Sequence, residues 1–369
     1  MQNNDSKFKI TIVYLTWNDE PQKYLTRALE AIGQQTYARE NLRLVIVYNS
    51  HKEKESSQLS FVKTEIKKLE NILPETVVLA PDKNLGFSGG NNLGMQWAID
   101  SGCDYVFLHN ADGYLAPGAL AELVKALTID ANIGQAQALV RLYPQTDLIN
   151  SAGNSVNYLG IGFCNYFKKP VASLNLPAIS DIGYASGSAT MIRTDLLKQL
   201  GKWNEDFYLY HEDLEYSWRL KINGYRVVLA KEAEFFHEYK FDKNLKKFYW
   251  LERNRHAFQY LFYRWPTLIL TWPLEIGYNL VLLVVAGAGG WLPELLRVYG
   301  YWLNPSNWQK WRVGRCLNQQ TRKLNDRQLL AQSTATVESA ELVVSGPIKF
   351  CANLVFKIYY YILKLIIWW

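Results

Sequence analysis

The chain has 369 residues, 49% of them hydrophobic and 20% charged, which is enough for one large globular domain with an apolar appendage. The net charge of +6 is unevenly held: residues 240–330 carry 14 Lys and Arg against 5 Asp and Glu, residues 331–369 add +1, and the first 239 are left with −4. A basic, apolar back half without an RNA-binding or zinc-finger motif excludes nucleic acid as the expected partner and favours a membrane surface.

The chain opens on a polar stretch with no apolar core of a signal peptide. Residues 9–16 read as a first strand, rich in β-branched residues, broken by Trp17-Asn18-Asp19. A helix over 22–32 follows, with Leu25, Leu29 and Ile32 on one face. Further elements are a strand over 42–48, a helix over 58–69, a short strand over 76–80 and a helix over 89–101. The stretch Tyr105 to Asp112 (YVFLHNAD) reads as a short buried strand that stops on polar residues, with a helix starting near Gly118. Strands alternating with helices at this spacing predict a mixed, largely parallel sheet flanked by helices. Residues 143–184 read as loop. Order returns with a strand over 188–193, helices over 195–200 and 212–223, and a last strand over 226–236.

Beyond residue 240 the character changes. Residues 268–292 are apolar apart from Glu275 and Asn279, and the uncharged part, 276–292, sits at the lower limit for a membrane span. Pro273 and the glycines at 287–290 are awkward inside a span, so a re-entrant or in-plane segment is at least as good a reading. Residues 355–369 read as an interfacial helix, with Lys357 and Lys364 on one face and terminal tryptophans. The expected domains are therefore 1–240, catalytic, and 241–369, helical and membrane-associating. The 13 Trp and 24 Tyr suit carbohydrate faces and membrane interfaces alike. Cys103, Cys164, Cys316 and Cys351 form no CxxC pair, which predicts free thiols in a reducing compartment and no zinc site.

Four constellations carry chemistry. The first is Asn84 to Gly94 (NLGFSGGNNLG), between a strand and a helix, where glycines permit close backbone approach and a helix N-terminus favours anions. No Gly-Lys-Ser/Thr follows, so it is not a Walker loop. The second is Asn110-Ala111-Asp112 at a strand end, where ligands bind in open α/β sheets. Asp112 could present a divalent metal to a phosphate, or simply form a turn. The third is the run 204–219, in which Leu214, Trp218 and Ile222 make a buried helix face. Glu212 and Asp213 at its start either cap the helix or supply a general base for an acceptor hydroxyl. The fourth is His237, after the last strand, structural or completing a metal or diphosphate site.

In this order the motifs resemble family 2 glycosyltransferases of the GT-A (Rossmann-like) fold. The likeness is greatest to the branch that includes rhamnosyltransferases acting on lipid-linked glycans, and it covers about residues 9–254. The resemblance implies an inverting transfer from a nucleotide-diphosphate sugar, dTDP-rhamnose or a UDP-sugar, to a hydroxyl of a glycan or lipid-linked acceptor in cell-surface polysaccharide synthesis. It implies Mg²⁺ or Mn²⁺ on Asp112 with Asn110 and His237. It implies that Asp213 is the base, with Glu212, Ser186, Gly187 and Tyr210 on the acceptor side. Thr16, Trp17, Asn18, Tyr48, Asn49, Asn84, Gly86, Gly89, Gly90, Asn91, Asn110 and Ala111 would surround the donor. Arg253-Asn254 matches a pair frequent past the core in this branch. One departure is plain: where the second strand of this family commonly ends in an Asp that holds the nucleotide base, this chain has Tyr48-Asn49-Ser50. The expected location is the cytoplasmic face of the cell membrane. A degenerate, non-catalytic module that binds glycan or sugar nucleotide is the alternative. A sugar-phosphate nucleotidyltransferase fits less well, because Thr16 to Glu20 is acidic where basic residues are expected.

Overall fold

The computed structural model describes residues 7–50, 56–239, 245–338 and 346–369. The polar opening before Lys7 and the expected domain boundary at Lys240 fall outside the described residues. The first half alternates β1 (Ile10–Thr16), α1 (Gln22–Gly33), β2 (Leu42–Tyr48), α2 (Ser57–Lys68), β3 (Glu75–Leu79), α3 (Gly86–Asp100) and β4 (Tyr105–His109). The strands β3-β2-β1-β4 lie side by side and parallel, with Ile10 opposite Leu42 on one side and Tyr105 on the other. The chain builds outward from β1 to β3, then returns across β1 to place β4. The carboxyl ends of β1, β2 and β4 therefore flank a topological switch point, where such sheets open a crevice.

Both faces of β1, β2 and β4 are buried, whereas β3 at the sheet edge is half-exposed. Ile10, Ile12 and Tyr14 pack with Leu25, Leu29 and Ile32 of α1 on one face, while Val13 and Leu15 pack with Met95 and Ala98 of α3 on the other. Strands covered on both sides read as continuous apolar runs, which is why β1 and β2 are plain in the sequence.

After β4 come β5 (Gly113–Leu115), α4 (Ala119–Thr128) and β6 (Ile133–Leu142). Then follow four short strands, β7 (Ile149–Ser151), β8 (Asn154–Val156), β9 (Gly162–Cys164) and β10 (Ile179–Asp181). The domain is completed by β11 (Ala189–Arg193), α5 (Thr194–Leu200), α6 (Glu212–Ile222) and β12 (Arg226–His237). The main order is β10-β12-β6-β11-β4-β1-β2-β3, with β5 added on β12 and β7 on β6; β11 is antiparallel to both neighbours and β12 parallel to β6. This is the expected mixed, largely parallel sheet flanked by helices. The sequence reading passed over β6 and the short strands between 143 and 184. Gly134, Gln135 and Gln137 lower the local β-propensity of β6, and pairing on both flanks overrides it.

The remaining chain is helical: α7 (Leu245–Phe262), α8 (Trp265–Gly289), α9 (Leu292–Leu303), α10 (Pro305–Thr321), α11 (Asp326–Gln332) and α12 (Pro347–Ile366). These helices share a core with α6. Leu214, Trp218 and Ile222 pack against Phe258, Trp311 and Leu329, whereas Tyr216 and Leu220 of the same helix face the sheet. The four-residue spacing read from the sequence thus marks the face that receives the C-terminal helices.

The glycines of α3 serve packing first. A Cβ on Gly94 would stand 2.4 Å from Val13 Cγ1, and one on Gly90 2.5 Å from Leu15 Cδ1, so α3 lies directly on β1. Gly94→Ala is expected to destabilise the protein by about 1–3 kcal/mol, because the added Cβ would meet both methyls and the Cβ of Val13, so that rotation about χ1 does not relieve the overlap. A urea titration of both proteins measures it.

Candidate active site

The loops at the switch point are stitched together by side-chain amides. Asn49, just past β2, accepts from Leu85 N (2.8 Å) and donates to the Gly86 carbonyl (2.8 Å), while Asn84 Oδ1 accepts from Gly86 N (2.8 Å). Gly86 has φ +72°, and a Cβ there would meet the Tyr208 ring at 2.4 Å. The Tyr208 carbonyl accepts from Phe87 N (2.8 Å) and Ser88 N (3.3 Å). The first N–H groups of α3 therefore point at protein acceptors here. Gly89 packs on Leu85, and Asn91 bonds within the helix to the Phe87 carbonyl (2.9 Å).

Tyr48 ends β2 beside Thr16, the last residue of β1. Its ring is buried, and its hydroxyl is hydrogen-bonded to Asn18 Oδ1 and Ser56 Oγ. Asn18 N in turn donates to Ser50 Oγ (3.0 Å). Trp17 between them is 39% exposed, an aromatic face open beside the crevice.

At the end of β4, Asp112 Oδ1 accepts from Asn110 Nδ2 (2.5 Å) and faces His237 Nε2 at 2.7 Å. The other ring nitrogen of His237 is hydrogen-bonded to the buried Asn150 at 2.8 Å, which fixes the imidazole orientation. β12 brings His237 there, through its antiparallel pairing with Gly113 of β5. Asp112 keeps about a third of its side chain exposed. One carboxylate and one imidazole form a mixed oxygen and nitrogen donor set compatible with a divalent metal, while the Asn110 side chain turns its Nδ2 toward both of them. Among the described residues no cluster of three or more His, Cys, Asp or Glu is placed to hold a metal. Any ion at Asp112 would share its coordination with a ligand.

Beneath this pair lies a buried carboxyl that the sequence reading did not single out. Glu20 is held by the Tyr14 hydroxyl, which also donates to the Ala111 carbonyl (3.3 Å). Burial raises the Glu20 carboxyl to about 7, with the nearby Asp112 charge adding to it. Burial likewise keeps His109, at the end of β4, neutral by lowering it to about 4. Nothing in the spacing of Glu20 marks it. Its partner Tyr14 is an inward residue of β1, and only the turn after that strand folds the carboxyl back onto it.

The second acidic pair opens α6. Asp213 Oδ2 accepts from Gly187 N (2.9 Å) and Oδ1 from Leu214 N (2.7 Å). Glu212 is buried, and its Oε2 has no hydrogen-bond partner. Burial pushes both carboxyls up. The Asp213 charge pushes Glu212 further, whereas the two N–H bonds hold Asp213 back. Both environments favour the protonated form, and that of Glu212, without N–H bonds to its free oxygen, favours it more. Gly187 cannot carry a side chain here, since a Cβ would come within 2.8 Å of Trp203. Ser186 is fixed by its N–H to Gln137 (2.7 Å) and by its hydroxyl to Ser188 (3.0 Å). Ser188 also accepts at its carbonyl from Asn110 N (2.9 Å). Asn110 beside Asp112 is therefore joined to Asp213 through residues 187 and 188 of one loop.

The segment that presents this pair is strained. Tyr208, Tyr210 and His211 all have positive φ, 62°, 67° and 68°, unusual for residues with bulky side chains. Asn254 of α7, fully buried, donates to the carbonyls of Phe207 (3.1 Å), Leu209 (2.9 Å) and Tyr210 (2.6 Å). Arg253 donates to the carbonyls of Asp206 (2.5 Å) and Phe207 (3.0 Å). His211 is kept neutral by burial, at about 4, and bonds to the Gly160 carbonyl at 3.1 Å. Asn254→Ala is expected to lower turnover about tenfold with donor affinity retained, because the loop that aims Glu212 and Asp213 loses its tether. Single-turnover kinetics alongside nucleotide titration separate the two effects.

The family described as "Glycosyltransferase like family 2" matches residues 9–259, more than half of the chain. The chain belongs to this family. Among curated proteins it is similar to the low-salt glycan biosynthesis hexosyltransferase Agl10 of Haloferax volcanii, 24% identical over 165 residues, which are 43% of this chain and 51% of that protein. Among solved structures it resembles GalNAc-T7 crystallised with UDP, GalNAc and Mn²⁺, at a TM-score of 0.56 and 14% identity, over 70% of this chain and 48% of that one. A mannosyltransferase from Pyrobaculum calidifontis, in complex with GDP-Man and Mn²⁺, aligns over 98% of this chain and 88% of its own at a TM-score of 0.49 and 14% identity. The chain spans about half the length of the curated relative and of GalNAc-T7. The first structural likeness bears out the GT-A-like fold.

For this family 2 glycosyltransferase, the motif residues converge from four separate places in the sequence. Asp112 meets His237 across 125 residues, and Gly187 meets Asp213 across 26. Sequence reading missed Glu20, Tyr14 and Asn150. It noted Arg253-Asn254 as a match without a role, and the structure gives that pair the carbonyls of the strained loop.

Proposed function

We propose that this chain is an inverting, metal-dependent glycosyltransferase. In this reading it moves a sugar from a nucleotide-diphosphate sugar, dTDP-rhamnose or a UDP-sugar, to a hydroxyl of a glycan or lipid-linked acceptor in cell-surface polysaccharide synthesis, at the cytoplasmic face of the membrane. The observation that carries the reading is the short link between the two acidic sites: Asp112 with His237 on one side, Asp213 with Glu212 on the other, joined through Asn110, Ser188 and Gly187. A donor diphosphate and an acceptor hydroxyl need such opposed neighbours.

Asp112, His237 and Asn110 would hold Mg²⁺ or Mn²⁺, and the ion would neutralise charge building on the leaving diphosphate. Trp17 offers an aromatic face to the nucleotide, and the loops carrying Thr16, Asn18, Tyr48, Asn49, Asn84 and Asn91 shape the donor side. Ionised Asp213 takes the proton of the acceptor hydroxyl as its oxygen attacks the anomeric carbon from the face opposite the diphosphate. That single displacement inverts the centre. Glu212, keeping its proton, donates to an acceptor oxygen and so orients it, with Ser186, Gly187 and Tyr210 lining the same side.

Calorimetric titration with UDP, dTDP and GDP, each with and without Mn²⁺, tests the reading. Metal-dependent binding of one nucleotide supports it and selects the donor for a transfer assay. Absence of binding to all three would favour the non-catalytic module, with Tyr48 in place of a carboxylate as its cause.

A further inference from the structure

We infer that α8 lies in the plane of a lipid bilayer and does not cross it, and that its outer face, together with that of α12, is the surface by which the enzyme docks on membrane lipid. The inference deepens the membrane part of the reading above and rests on it. Among the described residues, α8 is the one helix long and apolar enough to cross a membrane by length and composition. Its burial has a helical period. Thr267, Leu268, Thr271, Leu274 and Glu275 face the protein, whereas Ile269, Trp272, Ile276, Leu280 and Val284 are exposed, Val284 at 73%.

The midpoint of α8 is pinned to the catalytic half. Glu275 accepts from Arg255 at 2.7 and 3.0 Å and from Gln259 at 2.8 Å, and all three are buried. Arg255 also binds Glu252 and the Leu159 carbonyl (2.9 Å). It sits one residue past Asn254, which tethers the loop before Glu212. If α8 crossed the bilayer, its centre would carry Arg255, Glu252 and the sheet domain attached to them into hydrocarbon, at a prohibitive desolvation penalty. With Glu275 turned inward, the outer face of α8 has no charge to keep it from lipid.

α12 repeats the arrangement. Phe356, Tyr360, Leu363 and Ile367 are buried, and Leu354, Val355, Ile358 and Leu365 are exposed, with Trp368 at 74%. The Tyr359 hydroxyl donates to the Leu270 carbonyl (2.5 Å), and the Trp369 indole to Thr267 (3.0 Å), so α12 is fastened to the first half of α8. A groove of about 390 Å³ runs between them, its lining including Val281 and Val355 of the exposed faces and Ile161, next to the Gly160 that binds His211. Exposed Arg264, immediately before α8, and Lys357, within α12, suit anionic headgroups. Aliphatic and Trp side chains with flanking cations are the composition of an in-plane interfacial helix.

The test uses the full chain and vesicles of phosphatidylcholine with phosphatidylglycerol, without donor or metal, so that a failure of glycosyl transfer does not enter it. The chain is expected to float with the vesicles. The double variant Ile276→Glu, Leu280→Glu is expected to lower the bound fraction about tenfold or more with an unchanged melting curve, because both side chains are exposed. Fluorescent labels at Ile269→Cys, Ile276→Cys and Val284→Cys, with Cys164, Cys316 and Cys351 changed to Ser, are expected to report equal, shallow depths from one side. A deep label at 276 with 269 and 284 reached from opposite sides overturns the in-plane placement. Lack of flotation overturns the docking surface, as does a lipid-free dimer that protects these labels and binds no vesicle.

Discussion

Asp213→Asn is expected to lower turnover by about 10²-fold or more, the usual range for loss of a general base. The substitution keeps the size of the side chain and one oxygen, so either the Leu214 or the Gly187 N–H bond survives. Loss of the other is expected to lower stability by only about 1 kcal/mol. Rate and stability therefore separate. A variant that melts slightly earlier yet turns over normally would show that Asp213 only caps α6. The pH profile sharpens the test. Burial raises the Asp213 carboxyl, so activity should climb with pH as it loses its proton, at a pH above the ordinary carboxylate range. Glu212 is raised further by burial and by Asp213, so activity should fall again once its proton leaves at higher pH. Glu212→Gln, which keeps a donor at that position, should flatten the upper limb and leave the lower one.

Asp112→Ala is expected to abolish the metal dependence of nucleotide binding and to lower turnover by about 10²–10³-fold, the range seen when one electrostatic group facing the leaving charge is removed. His237 would then have lost its partner at 2.7 Å, while its bond to Asn150 remains, so the strand end should keep its place. Asn150→Ala is the companion variant. It leaves both proposed ligands present but frees the imidazole to rotate, and loss of an outer partner of this kind weakens metal affinity by about 10–100-fold. Calorimetry with Mn²⁺ and the selected nucleotide reads both. If Asp112→Ala binds nucleotide as tightly with Mn²⁺ as the parent does, the metal is held elsewhere.

Both sets of residues lie where the chain changes direction, and that explains what was readable. The abrupt stop of β4 on Asn110-Ala111-Asp112 and the acidic start of α6 are local events, visible as a change from apolar to polar residues. Their functional partners are not local. Asn150, in the stretch read as loop, reaches His237 across 87 residues, and Asn254 reaches Tyr210 across 44. Side-chain amides carry no pattern of their own, so such partners are invisible until the backbone places them. The glycine-rich run shows the converse. Its glycines were legible as close approaches, but what approaches α3 is Val13, Leu15 and the Tyr208 ring.

The sequence by itself determined the alternation of β1, β2, β3 and β4 with α1, α2 and α3, because short β-branched apolar runs alternate there with amphipathic stretches that repeat at 3.6 residues. It also determined the places of the two acidic motifs, since polar residues interrupting such runs can only be ends or sites. The tertiary structure alone decided that β6, poor in β-formers, is a central strand, because hydrogen bonds to β11 and β12 outweigh local preference. It alone decided that Glu212 and Asp213 meet different surroundings, since the Gly187 loop brings an N–H to Asp213 while Glu212 Oε2 is left without a partner. And it alone decided which way Glu275 of α8 faces. Composition shows only a helix long and apolar enough to cross a membrane; in the fold its midpoint carboxylate is bonded to Arg255, one residue past the Asn254 that tethers the loop before Glu212.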